Sequence, residues 1–176
     1  YKTIIKIALR FAYHNSNVLV CQSEYVSDFY KNATKNRVVI PNPIEVFAEP
    51  VKYKNRRNRI VSVGRLVEPK NYGLLIQAFE LFLTDYPDYQ LYIYGEGPER
   101  EKLQKQIQEA NLIRKVHLCG NSTQIHEDIN DAKLFVCSSN LEGFPNALFE
   151  AISLGLPVIS TSFPTGVANQ FIVNGV

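Results

Sequence analysis

The chain has 176 residues, 45% of them hydrophobic and 20% charged, which suits a soluble globular protein of one domain and part of another. Its formal charge of +2 gives no electrostatic reason to expect a nucleic-acid partner. Cys21, Cys119 and Cys137 are odd in number and scattered through apolar runs. They read as small buried thiols in a reducing compartment and exclude a disulfide framework. His14, His117 and His126 stand apart from one another, so no metal site is expected. No apolar run is long enough to cross a bilayer, and no cleavage pattern marks a signal peptide. The chain begins without Met and stops at Asn174-Gly175-Val176, and is read as a piece of a longer protein.

In chain order, Lys2, Lys6 and Arg10 repeat every fourth residue and share one face of a helix predicted over 2–13. Ile4, Ile5, Ala8, Leu9 and Ala12 fill its other side. Such a helix either lies on a membrane surface or packs on a neighbouring element, and the second is the commoner case. A strand over Val18–Cys21 follows, then a helix to Tyr30 capped by Ser23, then a strand at Arg37–Ile40 stopped by Pro41 and Pro43. Residues 49–58 are polar and basic and read as a linker. From Arg59 onward short apolar strands alternate with amphipathic helices. Strands are expected at 59–64, 89–95, 115–120, 132–139 and 156–161, with helices at 72–85, 98–110, 125–130 and 145–154. Pro98 and Pro145 are placed in the first turns of their helices, and Gly155 as a C-terminal stop. That alternation predicts a parallel α/β sheet.

In an open parallel sheet ligands bind beyond the carboxyl ends of the strands. After the 59–64 strand come Arg65 and Lys70, a guanidinium fork and a point charge suited to a diphosphate, or else two ordinary solvated cations. After the 89–95 strand comes Gly95-Glu96-Gly97-Pro98, a turn that lets a flat ring approach the backbone but lacks the rest of a dinucleotide fingerprint. After the 132–139 strand comes Glu142-Gly-Phe-Pro-Asn-Ala-Leu-Phe-Glu150. Gly143 and the N–H groups of Asn146, Ala147 and Leu148 at a helix start make an anion site. Glu142 would stand beside whatever hangs from that anion, accepting hydrogen bonds from hydroxyls. Glu150, among apolar neighbours on the same helix, is either half of a structural ion pair or a hydroxyl ligand.

The stretches 64–79, 91–101 and 138–161 together resemble glycosyltransferase family four, whose members are retaining, nucleotide-sugar-dependent enzymes of the two-domain GT-B fold. The resemblance implies a Rossmann-like α/β fold with helices on both faces of a parallel sheet. Residues 1–48 would then be the end of the acceptor-side first domain and its crossover, and 59–176 the donor-binding domain. It implies that Arg65 and Lys70 hold the donor diphosphate with the backbone of Asn146, Ala147 and Leu148. Glu142, with Gly143 and Phe144, would meet the donor sugar and serve catalysis. Glu150 would bind the ribose, and the turns at Gly95 and Gly120 would wall the base. The implied donor is linked to UDP or GDP, the acceptor is a glycan or lipid-linked hydroxyl, and no metal is required. Cytoplasmic action is expected, at the inner face of the membrane if the acceptor is lipid-linked. Pro145 stands where many members have glycine, and Pro43 follows Asn42 where many have glycine. This chain, lacking most of the first domain, is expected to bind a nucleotide but to transfer sugar poorly. The alternatives are a relative with epimerase or phosphorylase chemistry, and a non-catalytic sugar-nucleotide-binding module.

Overall fold

A computed structural model describes residues 2–34, 36–46, 48–168 and 172. The first part holds helix α1 (Lys2–His14), strand β1 (Leu19–Cys21), helix α2 (Glu24–Phe29) and strand β2 (Arg37–Val39). β1 and β2 pair in parallel as a separate small sheet. Ser23 caps α2 as expected, its hydroxyl accepting from the Val26 N–H at 3.3 Å. On α1 the apolar residues Ile4, Ile5 and Leu9 are exposed. The side chains of Lys2, Lys6 and Arg10, which define its expected basic face, lie outside the described residues. Among the described residues no helix is long and apolar enough to cross a membrane.

The second part is a five-stranded parallel sheet in the order β5-β4-β3-β6-β7. Its strands are β3 (Arg57–Val63), β4 (Gln90–Tyr94), β5 (Val116–Gly120), β6 (Ala132–Cys137) and β7 (Val158–Ser160). Helices α3 (Tyr72–Phe82), α4 (Arg100–Glu109), α5 (Ile125–Ile129) and α6 (Asn146–Ser153) connect them. The two-residue period of a strand sends neighbours to opposite faces. Ile60 therefore joins a core with Leu91, Ile93, Ile76, Phe79 and Ile107, beneath α3 and α4. Val61 joins a second core with Phe135, Leu148, Phe149 and Leu154, beneath α5 and α6. This is the parallel α/β sheet expected from the alternation and the Rossmann-like arrangement that the resemblance implies. The chain winds outward from β3 through β4 to β5, then crosses back to lay β6 on the other side of β3. The crevice where a ligand fits such a sheet is at that reversal, between the carboxyl ends of β3 and β6.

Three expectations are corrected. Within the segment read as a linker, 49–58, the Arg56 side chain is buried, and just before that segment Ile44, Val46 and Ala48 lie against the second core. The Arg56 guanidinium donates to the carbonyls of Val51 (2.9 Å), Ala132 (3.2 Å) and Leu154 (3.1 Å). It thereby ties the incoming chain to the start of β6 and the end of α6. Basic composition suggested solvent, but a guanidinium has five donors and can satisfy three carbonyls where water is excluded. Secondly, β3 starts at Arg57, two residues before the expected strand. Thirdly, Cys21 and Cys137 are buried but Cys119 is exposed, because β5 is an edge strand.

Replacing Arg56 by Met should lower the unfolding free energy by about 3 kcal/mol, since it orphans three carbonyls at once. Arg56→Lys should recover only part of this, because one ammonium does not span them; urea denaturation reads both. Among the three thiols, Cys119 alone should be alkylated by iodoacetamide in the folded chain, as mass spectrometry would show. Although the residue is exposed at the sheet edge, its thiol is partly desolvated by the surrounding strand, which raises its pKa above the ordinary value. Its reactive thiolate therefore grows as pH rises, and the labelling rate should still be climbing above pH 9.

Candidate functional site

The loop after β3 runs through a short 3-10 turn, Glu68–Lys70, into α3, with Asn71 in the left-handed region (φ 49°) at the junction. The loop after β6 lies directly against it. The Asn140 N–H donates to the Pro69 carbonyl (2.8 Å), the Ser138 hydroxyl to the Lys70 carbonyl (2.8 Å), and the Asn71 amide to Asn140 Oδ1 (3.1 Å). From β7, the Thr161 hydroxyl donates to the Ser139 carbonyl at 2.5 Å. These bonds make one rigid floor out of loops that sequence separates by about 70 residues.

On that floor Lys70 Nζ sits 2.5 Å from Glu142 Oε1. The Ser139 hydroxyl donates to the same oxygen at 2.6 Å. The two charged side chains keep only 25% and 12% of their exposure. Glu142 Oε2 makes no hydrogen bond among the described residues. Beneath the pair is a cavity of about 20 Å³ lined by Ser62, Lys70, Tyr72, Ser139, Glu142 and Leu148. The buried Tyr72 hydroxyl points into this region without a hydrogen bond inside ordinary limits. Burial pushes its pKa up, the Ser62 hydroxyl opposing that weakly, so the phenol stays neutral. Arg65 is exposed, and its guanidinium makes no ion pair or hydrogen bond among the described residues.

The turn at 143–146 differs in detail from the expected anion cradle. Pro145 is the residue before α6 and not its first, and the helix begins at Asn146. The Asn146 N–H donates to the Phe144 carbonyl (3.0 Å) and the Leu148 N–H to the Pro145 carbonyl (3.0 Å). Two of the three expected donors are thus used inside the turn, and the Ala147 N–H is left. Proline is the cause, since its fixed φ forces the chain through a tight turn ahead of the helix. The Phe144 ring packs on Phe149 with centroids 4.7 Å apart and anchors the turn to the core.

Glu150 is partly buried, as expected, and its partner is His126, which had seemed isolated in sequence. His126 Nε2 lies 3.4 Å from Glu150 Oε2 across the contact of α5 with α6. The glycine turns at 95 and 120 are brought together, the Gly95 N–H donating to the Gly120 carbonyl at 2.7 Å. The need for glycine there is internal: a Cβ on Gly95 would lie 2.0 Å from the Gly64 carbonyl oxygen, and one on Gly97 would lie 2.3 Å from that of Leu66. No such Cβ fits, so the turn after β4 packs backbone to backbone on the loop that carries Arg65 and Lys70. Among the described residues no three of His, Cys, Asp and Glu are grouped to hold a metal ion.

Sequence reading missed a relay of amides. Gln22 Nε2 donates to Asn42 Oδ1 (2.8 Å), and Asn42 Nδ2 donates to Asn146 Oδ1 (2.9 Å). It joins the loop after β1, the crossover and the first residue of α6. Partners 104 positions apart leave no local signal. Ser139 was legible in principle, since a hydroxyl three residues before an acid can reach it within one turn.

The sequence pattern of the family described as glycosyl transferases group 1 matches residues 43–176. An uncharacterized glycosyltransferase of Methanocaldococcus jannaschii is 32% identical over 182 residues, covering 94% of this chain and 45% of that protein. The poly(glycerol-phosphate) alpha-glucosyltransferase of Bacillus subtilis is 30% identical over 147 residues, 84% of this chain and 21% of that protein. Among solved structures, a mutant of S. aureus TarM in complex with fondaparinux, alpha-GlcNAc-glycerol and UDP superposes with a TM-score of 0.84 at 26% identity. That superposition covers 96% of this chain and 34% of TarM. The chain spans less than half the length of these relatives.

The relay predicts coupling between distant positions. In a double-mutant cycle of Asn42→Ala and Asn146→Ala, urea unfolding should give an interaction energy of about 0.5–1 kcal/mol. Strict additivity would show that the amides do not act together.

Proposed function

The chain belongs to the group 1 glycosyl transferases, and from that premise we propose that it forms the donor-binding half of an enzyme that moves a sugar from a nucleoside diphosphate to an acceptor hydroxyl. The observation that carries this reading is the meeting of Lys70 and Glu142 at 2.5 Å in the crevice between β3 and β6, with Arg65, which has no partner among the described residues, on the same loop as Lys70. A diphosphate needs fixed positive charge and a sugar needs a hydroxyl acceptor, and both are supplied at one place. The TarM complex holds UDP, which supports a nucleotide-linked donor.

The chain's own residues divide the work. Arg65 and Lys70 hold the diphosphate and stabilise the charge that grows on it as the glycosidic bond breaks. The Ala147 N–H at the start of α6 adds a dipole of the same sign. Glu142, through its open oxygen Oε2, positions the sugar and serves catalysis. Glu150, steadied by His126, accepts from the ribose hydroxyls, and the turns at Gly95 and Gly120 flank the base. Charge stabilisation by Arg65 and Lys70 takes the place that a divalent cation fills elsewhere, so transfer is metal-independent. We assign retention of anomeric configuration on the family resemblance. The acceptor is a glycan or lipid-linked hydroxyl presented at the cytoplasmic face of the membrane. The Bacillus subtilis relative, named for a poly(glycerol-phosphate) acceptor, supports a cell-surface polymer.

Calorimetric titration with UDP, GDP and the two monophosphates tests the donor site. One diphosphate should bind and exceed its monophosphate. Lys70→Ala should weaken it by tenfold or more, as expected for the loss of one charge-assisted contact of about 1.5–3 kcal/mol. Glu150→Ala should weaken diphosphate and monophosphate by equal factors, because the ribose is common to both. Absence of nucleotide binding by the folded chain would overturn the reading.

A further inference from the structure

Lys70 and Glu142 are each suited to a different part of the donor, yet in this structure they are satisfied by each other. Glu142 Oε1 receives both the Lys70 ammonium (2.5 Å) and the Ser139 hydroxyl (2.6 Å). With the Glu142 side chain 12% exposed, its charge is poorly screened by water. We infer that Glu142 is an internal counter-ion that sets the selectivity of the site, opposing a bare nucleoside diphosphate and admitting one that carries a sugar. This rests on the donor-site reading above.

A diphosphate that reaches Lys70 brings negative charge to within a few ångströms of Glu142. Either the ammonium leaves the carboxylate, stranding a poorly hydrated anion, or it stays and holds two anions side by side. Both arrangements cost free energy, because like charges in a low-dielectric crevice repel and a buried charge without its partner is unfavourable. Ser139 cannot make up the difference, since its single proton is already given to Oε1 and a neutral donor carries no compensating charge. A sugar on the diphosphate changes the balance. Its hydroxyls can donate to Oε2, which has no partner among the described residues and is not sealed from the crevice. Each such bond to a carboxylate is charge-assisted and stronger than one between neutral groups. The penalty therefore falls on the sugar-free nucleotide, the by-product of transfer, and favours its departure.

Among the described residues, the two neighbours of Glu142 in this turn already have other partners. The Phe144 ring is packed on Phe149, and Asn146 is engaged by Asn42. Glu142 is thus more than a hydroxyl acceptor: its negative charge, as distinct from its shape, carries the discrimination.

The test separates charge from shape. Wild type, Glu142→Gln and Glu142→Asp are titrated calorimetrically with UDP, GDP, UDP-glucose and UDP-N-acetylglucosamine, with thermal melting to verify folding. Glu142→Gln keeps the size and one acceptor oxygen, replaces the other oxygen by an amide NH2 that can only donate, and loses the charge. It should bind the accepted diphosphate about tenfold more tightly than wild type, and the preference for a sugar-bearing nucleotide should shrink. Glu142→Asp keeps the charge and should not tighten. Diphosphate binding that is unchanged or weaker in Glu142→Gln, with wild type binding normally, overturns this inference and leaves the donor site standing. Absence of binding by wild type and all variants overturns both. Should Glu142→Gln fail to fold, Ser139→Ala decides. With the neutral donor gone, Glu142 depends more on Lys70, and the diphosphate should bind several-fold more weakly; equal or tighter binding overturns the inference.

Discussion

The contact on which the site depends is the ion pair between Lys70 and Glu142. Neither residue could be held there by its own loop. Lys70 ends a 3-10 turn after β3, and Glu142 lies in the irregular stretch between β6 and α6. They meet because β6 returns to pair with β3 and the two following loops are stitched by Asn140, Ser138 and Asn71. A pair this far out of water gains little net stability, because the desolvation of both charges roughly cancels their attraction. What it sets is the electrostatic state of the crevice: the charges of Lys70 and Glu142 offset one another, and Arg65, on the same loop as Lys70, has no such partner among the described residues.

Around that pair the fold is arranged to keep backbone elements in fixed contact. The turn after β4 lies so close to the loop after β3 that only glycine fits at 95 and 97, with the Leu66 N–H donating to the Glu96 carbonyl at 2.9 Å. On the far side, Arg56 joins the crossover to β6 and α6 through three carbonyls. The amides of Gln22 and Asn42 reach the first residue of α6 from the small β1–β2 sheet. The 143–146 turn is therefore held from three directions: by the Phe144 ring in the core, by the tight turn at Pro145, and by the relay. A displacement of the β1–β2 unit would be felt at that turn, which gives the two parts of the chain a physical means of acting on one another.

On the other side of α6, Glu150 and His126 pair across two helices that share the second core. The choice between a structural ion pair and a hydroxyl ligand need not be exclusive. A carboxylate with one oxygen near an imidazole keeps its second oxygen for a ligand and is held in one rotamer by the first contact. Rigid placement of this kind lowers the ordering cost of binding.

Much of this was legible in the residues. Period-two apolar strands and period-3.6 helices from Ile60 onward predicted the parallel sheet, and strand-end logic singled out Arg65, Lys70, Glu142 and Glu150, because those patterns are local and follow from backbone geometry. Element ends were less well placed, as at β3, where Arg57 is in the strand although its neighbours are basic. What tertiary structure decided was pairing. That Lys70 answers Glu142, that His126 answers Glu150, that Arg56 is buried and Cys119 is not, and that Asn42 reaches Asn146 all depend on which strand lies beside which. A chain order of residues carries the chemistry each side chain can do. Only the crossover from β5 back to β6 determines which charges share the low-dielectric crevice, because electrostatic and hydrogen-bond energies fall off with distance in space and are blind to distance in sequence.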